Sequence, residues 1–148
     1  MTCELCSTAG GTVLWRDALC RIIHVDEPAY PGYCRVIWNT HVKEMTDLDA
    51  GGRAHVMRVV LAVEAVLRDV LHPHKINLAS LGNMAPHVHW HIIPRFTDDP
   101  HFPQSIWSVH ERAAVQRNPA DVTKIASALQ TVLGPGIPIG GYHPQPVM

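Results

Sequence analysis

Three histidines, His87, His89 and His91, alternate with apolar residues in the run HVHWHII at positions 87–93. In an extended strand alternate side chains share a face, so three such imidazoles stand in a row about 6–7 Å apart. Val88, Trp90 and Ile92 then point the other way, into a core. Three kinds of chemistry fit that row. The rings could serve only as hydrogen-bonding groups on a polar strand face, although histidine seldom fills one. They could share a zinc ion with an open coordination position, as in a metal-dependent hydrolase. They could also act without metal, one neutral imidazole attacking phosphorus while its neighbours orient it and donate to oxygens. A metallohydrolase usually wants an acid/base partner, and the nearest carboxylate within seven residues on either side is Asp98, in the following loop.

Other residues carry secondary signals. Cys3 and Cys6, in a C-x-x-C spacing, make half of a metal site, or are reduced thiols packed as small hydrophobes. Cys20 and Cys34 fall within strand patterns and read as core. Arg95, after Ile-Ile-Pro, either reaches phosphate or points to solvent. Trp107 and the loop at 101–108 are placed to cover the site or supply specificity.

The elements that must position these groups follow from periodicity. Short strands are predicted over 13–15 and 19–25, joined at 16–18 as a hairpin, with a third over 34–38 that ends just before His41. Two prolines and a glycine mark 26–32 as loop. From Asp47 the period changes. Leu48, Ala54, Met57, Leu61, Ala65 and Val70, with Val60 and Leu67 between, predict a long amphipathic helix capped near Thr46 or Asp47 and ending near His72-Pro73. Gly51-Gly52 should weaken its first turns. A fourth strand is predicted over 76–81, a turn over 82–86 and a fifth strand over 87–93, ended or marked as an edge by Pro94. A second helix is predicted over 119–133, with Val122, Ile125, Leu129 and Val132 on one face. The Pro/Gly-rich tail, 134–148, is expected to pack on the same domain or on a neighbouring subunit.

Composition sets the bounds. At 148 residues, with 47% hydrophobic and 17% charged residues, the chain has the size and character of one globular domain. A net charge of -1 creates no general field for nucleic acid or membranes, so a polyanionic substrate must be held by local donors. The aromatic residues are too scattered for a nucleic-acid stacking platform. There is no apolar stretch of transmembrane length and no signal-peptide pattern at the N-terminus, which predicts a cytoplasmic protein with its four cysteines as thiols or metal ligands rather than disulfides.

The triad run and its surroundings resemble the histidine-triad (HIT) family of nucleotide hydrolases and transferases. HVHWHII matches the family's His-φ-His-φ-His-φ-φ signature, followed by Pro-Arg, and the upstream order of CxxC, paired strands, loop acid, long helix and Asn agrees. The stretch KINLASLGNMAPHVHWHIIPRF is most similar to the bacterial branch described as diadenosine-polyphosphate hydrolases. The resemblance covers residues 3 to about 107. It implies an α+β fold, an antiparallel sheet of about five strands with one long helix and a C-terminal helix, with 1–107 as the HIT-like domain and 108–148 as helix and tail packed upon it or on a dimer partner. It implies that His89 is the nucleophile, forming a nucleotidyl-histidine intermediate. His91 donates to a phosphate or leaving-group oxygen, and His87 orients the site. Asn77, Asn83 and Asp26 are the implied substrate-binding residues, Asn83 standing where the family has Gln; Asp26 is equally an Asp opening a turn. Cys3, Cys6, His41 and His87 occupy the positions of a structural zinc site found in some members. No organic cofactor is implied. A nucleotide substrate and a homodimer are. The sequence departs from the family pattern at Met84, where Ser is usual, and at Gly32-Tyr33, where Gly-His is usual. A nucleotide-binding module with little turnover is the remaining alternative.

Overall fold

The computed structural model describes residues 2–140 together with 142 and 144. The fold is α+β: five antiparallel strands, β1 (Thr12–Arg16), β2 (Cys20–His24), β3 (Cys34–Trp38), β4 (Lys75–Ala79) and β5 (His89–Arg95), stand in the order β1-β2-β3-β5-β4. Three helices accompany them: α1 (Glu4–Ser7), α2 (Ala50–Leu71) and α3 (Val122–Leu133). A 3-10 turn at Met45–Asp47 precedes α2.

The hairpin between β1 and β2 turns one residue later than its sequence predicts. Asp17 Oδ1 accepts the backbone N–H groups of Leu19 and Cys20 at 2.9 and 2.8 Å, a side-chain mimic of a turn, and Leu19 is left exposed. The same carboxylate takes His55 Nε2 of α2 at 2.7 Å, clasping helix to hairpin. Asp17, Cys20 and His55 lie close enough to suggest a metal group. Both Asp17 oxygens are already committed, however, and burial pushes the Cys20 thiol far up, so the trio is a clasp. Cys20 and Cys34 are fully buried in the core.

Helix α2 begins later than the sequence suggests. Asp49, not Thr46 or Asp47, is the cap, its carboxylate accepting Gly52 N–H at 2.7 Å. Gly52 is needed less for flexibility than for room, since a Cβ there would stand 3.4 Å from the Trp38 ring and 3.2 Å from the Asp49 carboxylate. The buried face matches the predicted one in part: Leu48, Val60 and Leu67 are buried, and Met57 and Val70 pack against the core. Ala54, Leu61 and Ala65 face solvent, while Val56, Val59, Val60, Val63, Val66 and Leu67 form the stripe that meets the sheet. Those six repeat every three or four residues without interruption, which gives the wider apolar arc. The predicted row is broken by Arg58 and Glu64. Helix α3 starts at its Asp121 cap rather than at Pro119, and buries Ile125 and Leu129 while Val132 stays exposed.

Two shifts bear on the site. Strand β5 runs two residues further than 87–93, so Pro94 lies inside it. There β5 pairs with β4 alone, through Ile76↔Pro94, because β3 pairing ends at Ile92; the imide nitrogen therefore takes no ladder bond. Residues 87–88 precede the strand, so His87 leaves the predicted row. The segment after α3 lies on the outer side of β1: Ile137 N–H donates to Arg16 O at 2.9 Å, and Trp15 Nε1–H donates to Gly134 O at 2.9 Å. Arg16 in turn donates to Pro138 O and sits 4.2 Å from the Tyr142 ring centre. The rest of the tail, 141, 143 and 145–148, lies outside the described residues. No helix among the described residues is long and apolar enough to cross a membrane.

Candidate active site

Strand β5 presents Trp90 and Ile92 to the helices and His89, His91, Ile93 and Arg95 to the opposite face. His89 stands opposite Ile37 of β3, and His91 opposite Arg35 on one side and Ala79 of β4 on the other. The ring centres of His89 and His91 are 4.9 Å apart with planes at 74°. Both are nearly buried, at 7% and 5% exposure, yet both line one cavity of about 380 Å³.

The hydrogen-bond partners settle which nitrogen of each ring carries hydrogen. His89 Nδ1 lies 2.6 Å from the His87 carbonyl oxygen, which can only accept, so Nδ1 holds the proton and Nε2 keeps its lone pair. His91 is the reverse. Its Nδ1 receives the Tyr33 hydroxyl at 2.6 Å and Arg35 Nε–H at 3.4 Å; arginine only donates, so Nδ1 is the acceptor and Nε2 carries the hydrogen. Burial holds the His91 pKa down, at about 3, with His89 and Arg35 adding like-charge repulsion. Burial also lowers His89, against the His87 carbonyl, which raises it, and burial raises the Tyr33 hydroxyl. The cavity therefore meets a neutral imidazole with a free lone pair beside a neutral imidazole with a donor N–H.

Asn83 lines the same cavity, on the turn that follows β4, with Gly82 in a left-handed conformation at φ +79°. Met84, in the family's serine position, is fully exposed there. Asn77 shares the sheet face of His91 but accepts Arg95 Nη1–H at 2.7 Å and does not line the cavity. Asp26 is exposed at the end of β2, outside the lining, near His24. The structure thus gathers His89, His91 and Asn83 and leaves Asn77 and Asp26 apart. Arg95 neither reaches the cavity nor points to solvent. Buried, it makes a two-toothed pair with Asp99 at 2.8 and 3.0 Å and donates to Gln104 O at 2.7 Å. Tyr33 and Arg35 were missed by sequence reading. Arg35 faces His91 through the β3–β5 register, and Tyr33, just before β3, reaches it through its hydroxyl; neither relation has a local sequence signal. Trp107 does border the cavity, its ring centre 5.0 Å from that of His91.

His87 faces a different cluster. One turn of α1 sets Cys3 and Cys6 side by side, Cys6 N–H donating to Cys3 O at 3.1 Å. His87 Nδ1 lies 3.4 Å from Cys3 Sγ and 3.5 Å from Cys6 Sγ, and His41 Nδ1 lies 3.4 Å from Cys6 Sγ. All four ligand atoms fall within 4.8 Å of one another. Sulfur and nitrogen bound to one tetrahedral zinc sit about 3.6 Å apart, given bonds of about 2.3 and 2.05 Å, so the four residues fit zinc. His87 Nε2–H donates to Trp38 O at 2.5 Å, which leaves Nδ1 as the ligating nitrogen. Buried Arg21 fixes the segment from within, donating to the carbonyls of Leu5, Thr8 and Ala9.

The HIT domain family model matches residues 8–98. An AP-4-A phosphorylase of Mycobacterium tuberculosis is 29% identical over 98 residues, 62% of this chain and 50% of that protein; the chain spans about half the length of the curated relatives it matches. Among solved structures, a histidine triad protein from Bradyrhizobium japonicum is similar with a TM-score of 0.65 and 26% identity, covering 82% of this chain and 91% of that one. A Zn-bound histidine triad family protein from Mycobacterium smegmatis shares the fold, with a TM-score of 0.57 and 22% identity over 84% of this chain and 85% of that one.

Proposed function

This chain belongs to the HIT domain family, and on that premise we propose that it is a nucleotide hydrolase or nucleotidyl transferase whose nucleophile is His89. One observation carries the proposal: the His87 carbonyl takes the Nδ1 hydrogen of His89, which leaves a lone pair on Nε2 of a ring that lines the cavity. His89 Nε2 forms a bond to the α-phosphorus, and the bond from phosphorus to the bridging oxygen breaks. The electron pair leaves with the departing phosphate, whose new negative charge is stabilised by the N–H of His91 Nε2. A leaving polyphosphate needs no proton at neutral pH, so a hydrogen-bond donor serves where an acid is unnecessary. Water or another acceptor then attacks phosphorus and the N–P bond breaks. If water attacks, its oxygen joins the nucleotide and its proton passes to solvent. Asn83 donates to the phosphate oxygens of the bound nucleotide.

The relative's name supports a dinucleoside polyphosphate as substrate; a nucleoside phosphoramidate suits the same attack by His89, its P–N bond breaking as the nitrogen takes a proton from solvent and leaves as ammonia. Nucleophilic catalysis is favoured over a metallohydrolase because, among the described residues, neither group able to hold a metal includes His89 or His91. Zinc held by Cys3, Cys6, His41 and His87 supplies a structural cross-link and takes no part in the reaction. We extend the proposal to a homodimer joined through β4, since among the described residues β4 pairs only with β5, whereas the outer side of β1 is lined by the segment after α3. Asn77 and Asp26 enter this reading only if substrate binding moves them toward the cavity.

The test is turnover of diadenosine tetraphosphate and adenosine phosphoramidate by the protein and its His89→Gly variant. The variant is expected to bind nucleotide while losing roughly 10⁴-fold or more in turnover, and the parent's activity should survive a chelator added during the assay. Equal rates in both proteins contradict the nucleophile assignment.

A further inference from the structure

A second cavity, of about 340 Å³, adjoins the one that holds His89, and the two share Arg35 and Trp107 as walls. Its other walls are unusually aromatic. Tyr30 and His101 lie stacked, with ring centres 5.9 Å apart, and His110 meets His101 edge-on at 4.5 Å. Tyr33 closes the side nearest His91, its ring centre 5.9 Å away, and Glu27 adds a carboxylate. The lining is held firmly from behind: the Tyr30 hydroxyl bonds His101 Nδ1, and Asp99 accepts the backbone N–H groups of His101 and Phe102 at 3.1 and 2.7 Å. Nothing in the reaction described above uses this space.

Its position relative to the reacting atoms suggests a use. In an in-line displacement the leaving oxygen departs on the side of phosphorus away from His89. The donor for that oxygen, His91, is the ring that touches Trp107 and Tyr33, both walls of the second cavity. Arg35, at the shared wall, is a fixed cation on the path a polyphosphate would follow. Beyond it the aromatic rings suit the flat face of a base, and the Glu27 carboxylate can accept from sugar hydroxyls or an exocyclic amine. Resting on the function proposed above, we infer that the second cavity seats the departing nucleoside of a dinucleotide substrate, with Arg35 holding the phosphates between the two halves.

Two variants reach this cavity without touching the triad. Ala114→Trp fills it, and His110→Ala removes part of its aromatic wall; both residues line it and neither lines the first cavity. Steady-state kinetics are measured on diadenosine tetraphosphate, which has a departing nucleoside, and on adenosine phosphoramidate, which releases only ammonia. Each variant is expected to raise KM for the dinucleotide about tenfold and to leave kcat/KM for the phosphoramidate within about twofold, which also shows that the variants fold. Parallel losses on both substrates would mean the cavity serves the retained nucleotide, and unchanged dinucleotide kinetics would mean it serves none; either result overturns the inference. If the unaltered protein turns over neither compound, the nucleotidyl-transfer reading itself fails and this inference falls with it.

Discussion

At the scale of single residues, the candidate site holds two neighbouring imidazoles in opposite tautomers. A backbone carbonyl draws the hydrogen of His89 to Nδ1, and a hydroxyl with a guanidinium leaves that of His91 on Nε2. The His87 carbonyl can only accept and the Arg35 guanidinium can only donate, so these two partners hold the rings in their separate roles. The same burial makes a stability signature. The pKa of His91 is about 3 in the folded chain and about 6.5 when unfolded, so between those values the unfolded state binds more protons. Its contribution is therefore complete above about pH 6.5 and is lost progressively as pH falls toward about 3. Urea denaturation at pH 7.5 and pH 5 should show a loss of stability in acid, and the His91→Gln variant should show a smaller loss. An identical loss in both proteins would count against a buried neutral His91. The spacing of His89 and His91 was legible in the sequence because alternation survives any shift of strand ends. The separate path of His87 was not, since it depends on where β5 starts. That start is decided by pairing with β3, for which no residue near His87 carries a local signal. Tyr33 and Arg35 stayed hidden for the same reason.

At the scale of elements, the segment before β1 and the turn before β5 meet at His87. Its ring faces Cys3 and Cys6 while its carbonyl accepts from His89, the proposed nucleophile. Removing zinc should then loosen α1 and the approach to β5 together. With free zinc about a hundredfold above its dissociation constant, binding to the folded state adds about 3 kcal/mol, which for a chain of this size corresponds to a Tm change of roughly 6–12 °C. A zinc-free preparation should melt lower by that amount and recover on adding one equivalent, and a Cys3→Ser, Cys6→Ser double variant should show no such recovery. Equal melting with and without zinc would remove the clamp. The CxxC spacing was visible in the sequence. The short helix that shapes it was not, because four residues carry too little periodicity, and the buried Arg21 that holds it reads in sequence as an ordinary strand charge. The long helix is evident from its period, yet only part of its buried face is: Leu48, Val60 and Leu67 are buried, while Ala54, Leu61 and Ala65 give way to the valine stripe.

At the scale of the whole molecule, the sheet order leaves two edges with different fates. The segment after α3 lines β1, while among the described residues β4 has a partner on one side only. An open edge invites a second strand, and a two-fold pairing of β4 with its copy is the self-complementary solution. Light scattering behind size exclusion should give twice the chain mass at micromolar concentration, and the chain mass itself would contradict the dimer. The α+β class and the five strands followed from the sequence because each strand is a short apolar run bounded by turn residues. That 134–138 would pack was expected, but that they pack along β1 was not legible, because proline and glycine fix no period. The proposed reaction requires that a nucleotide become bonded to His89. The most direct measurement is intact-protein mass spectrometry of the protein mixed with diadenosine tetraphosphate and quenched in alkali within milliseconds, followed by peptide mapping. The account expects a mass increase of one adenylyl group, carried by His89 and absent from the His89→Gly variant; turnover with no such adduct at any time, or an adduct on another residue, would contradict it.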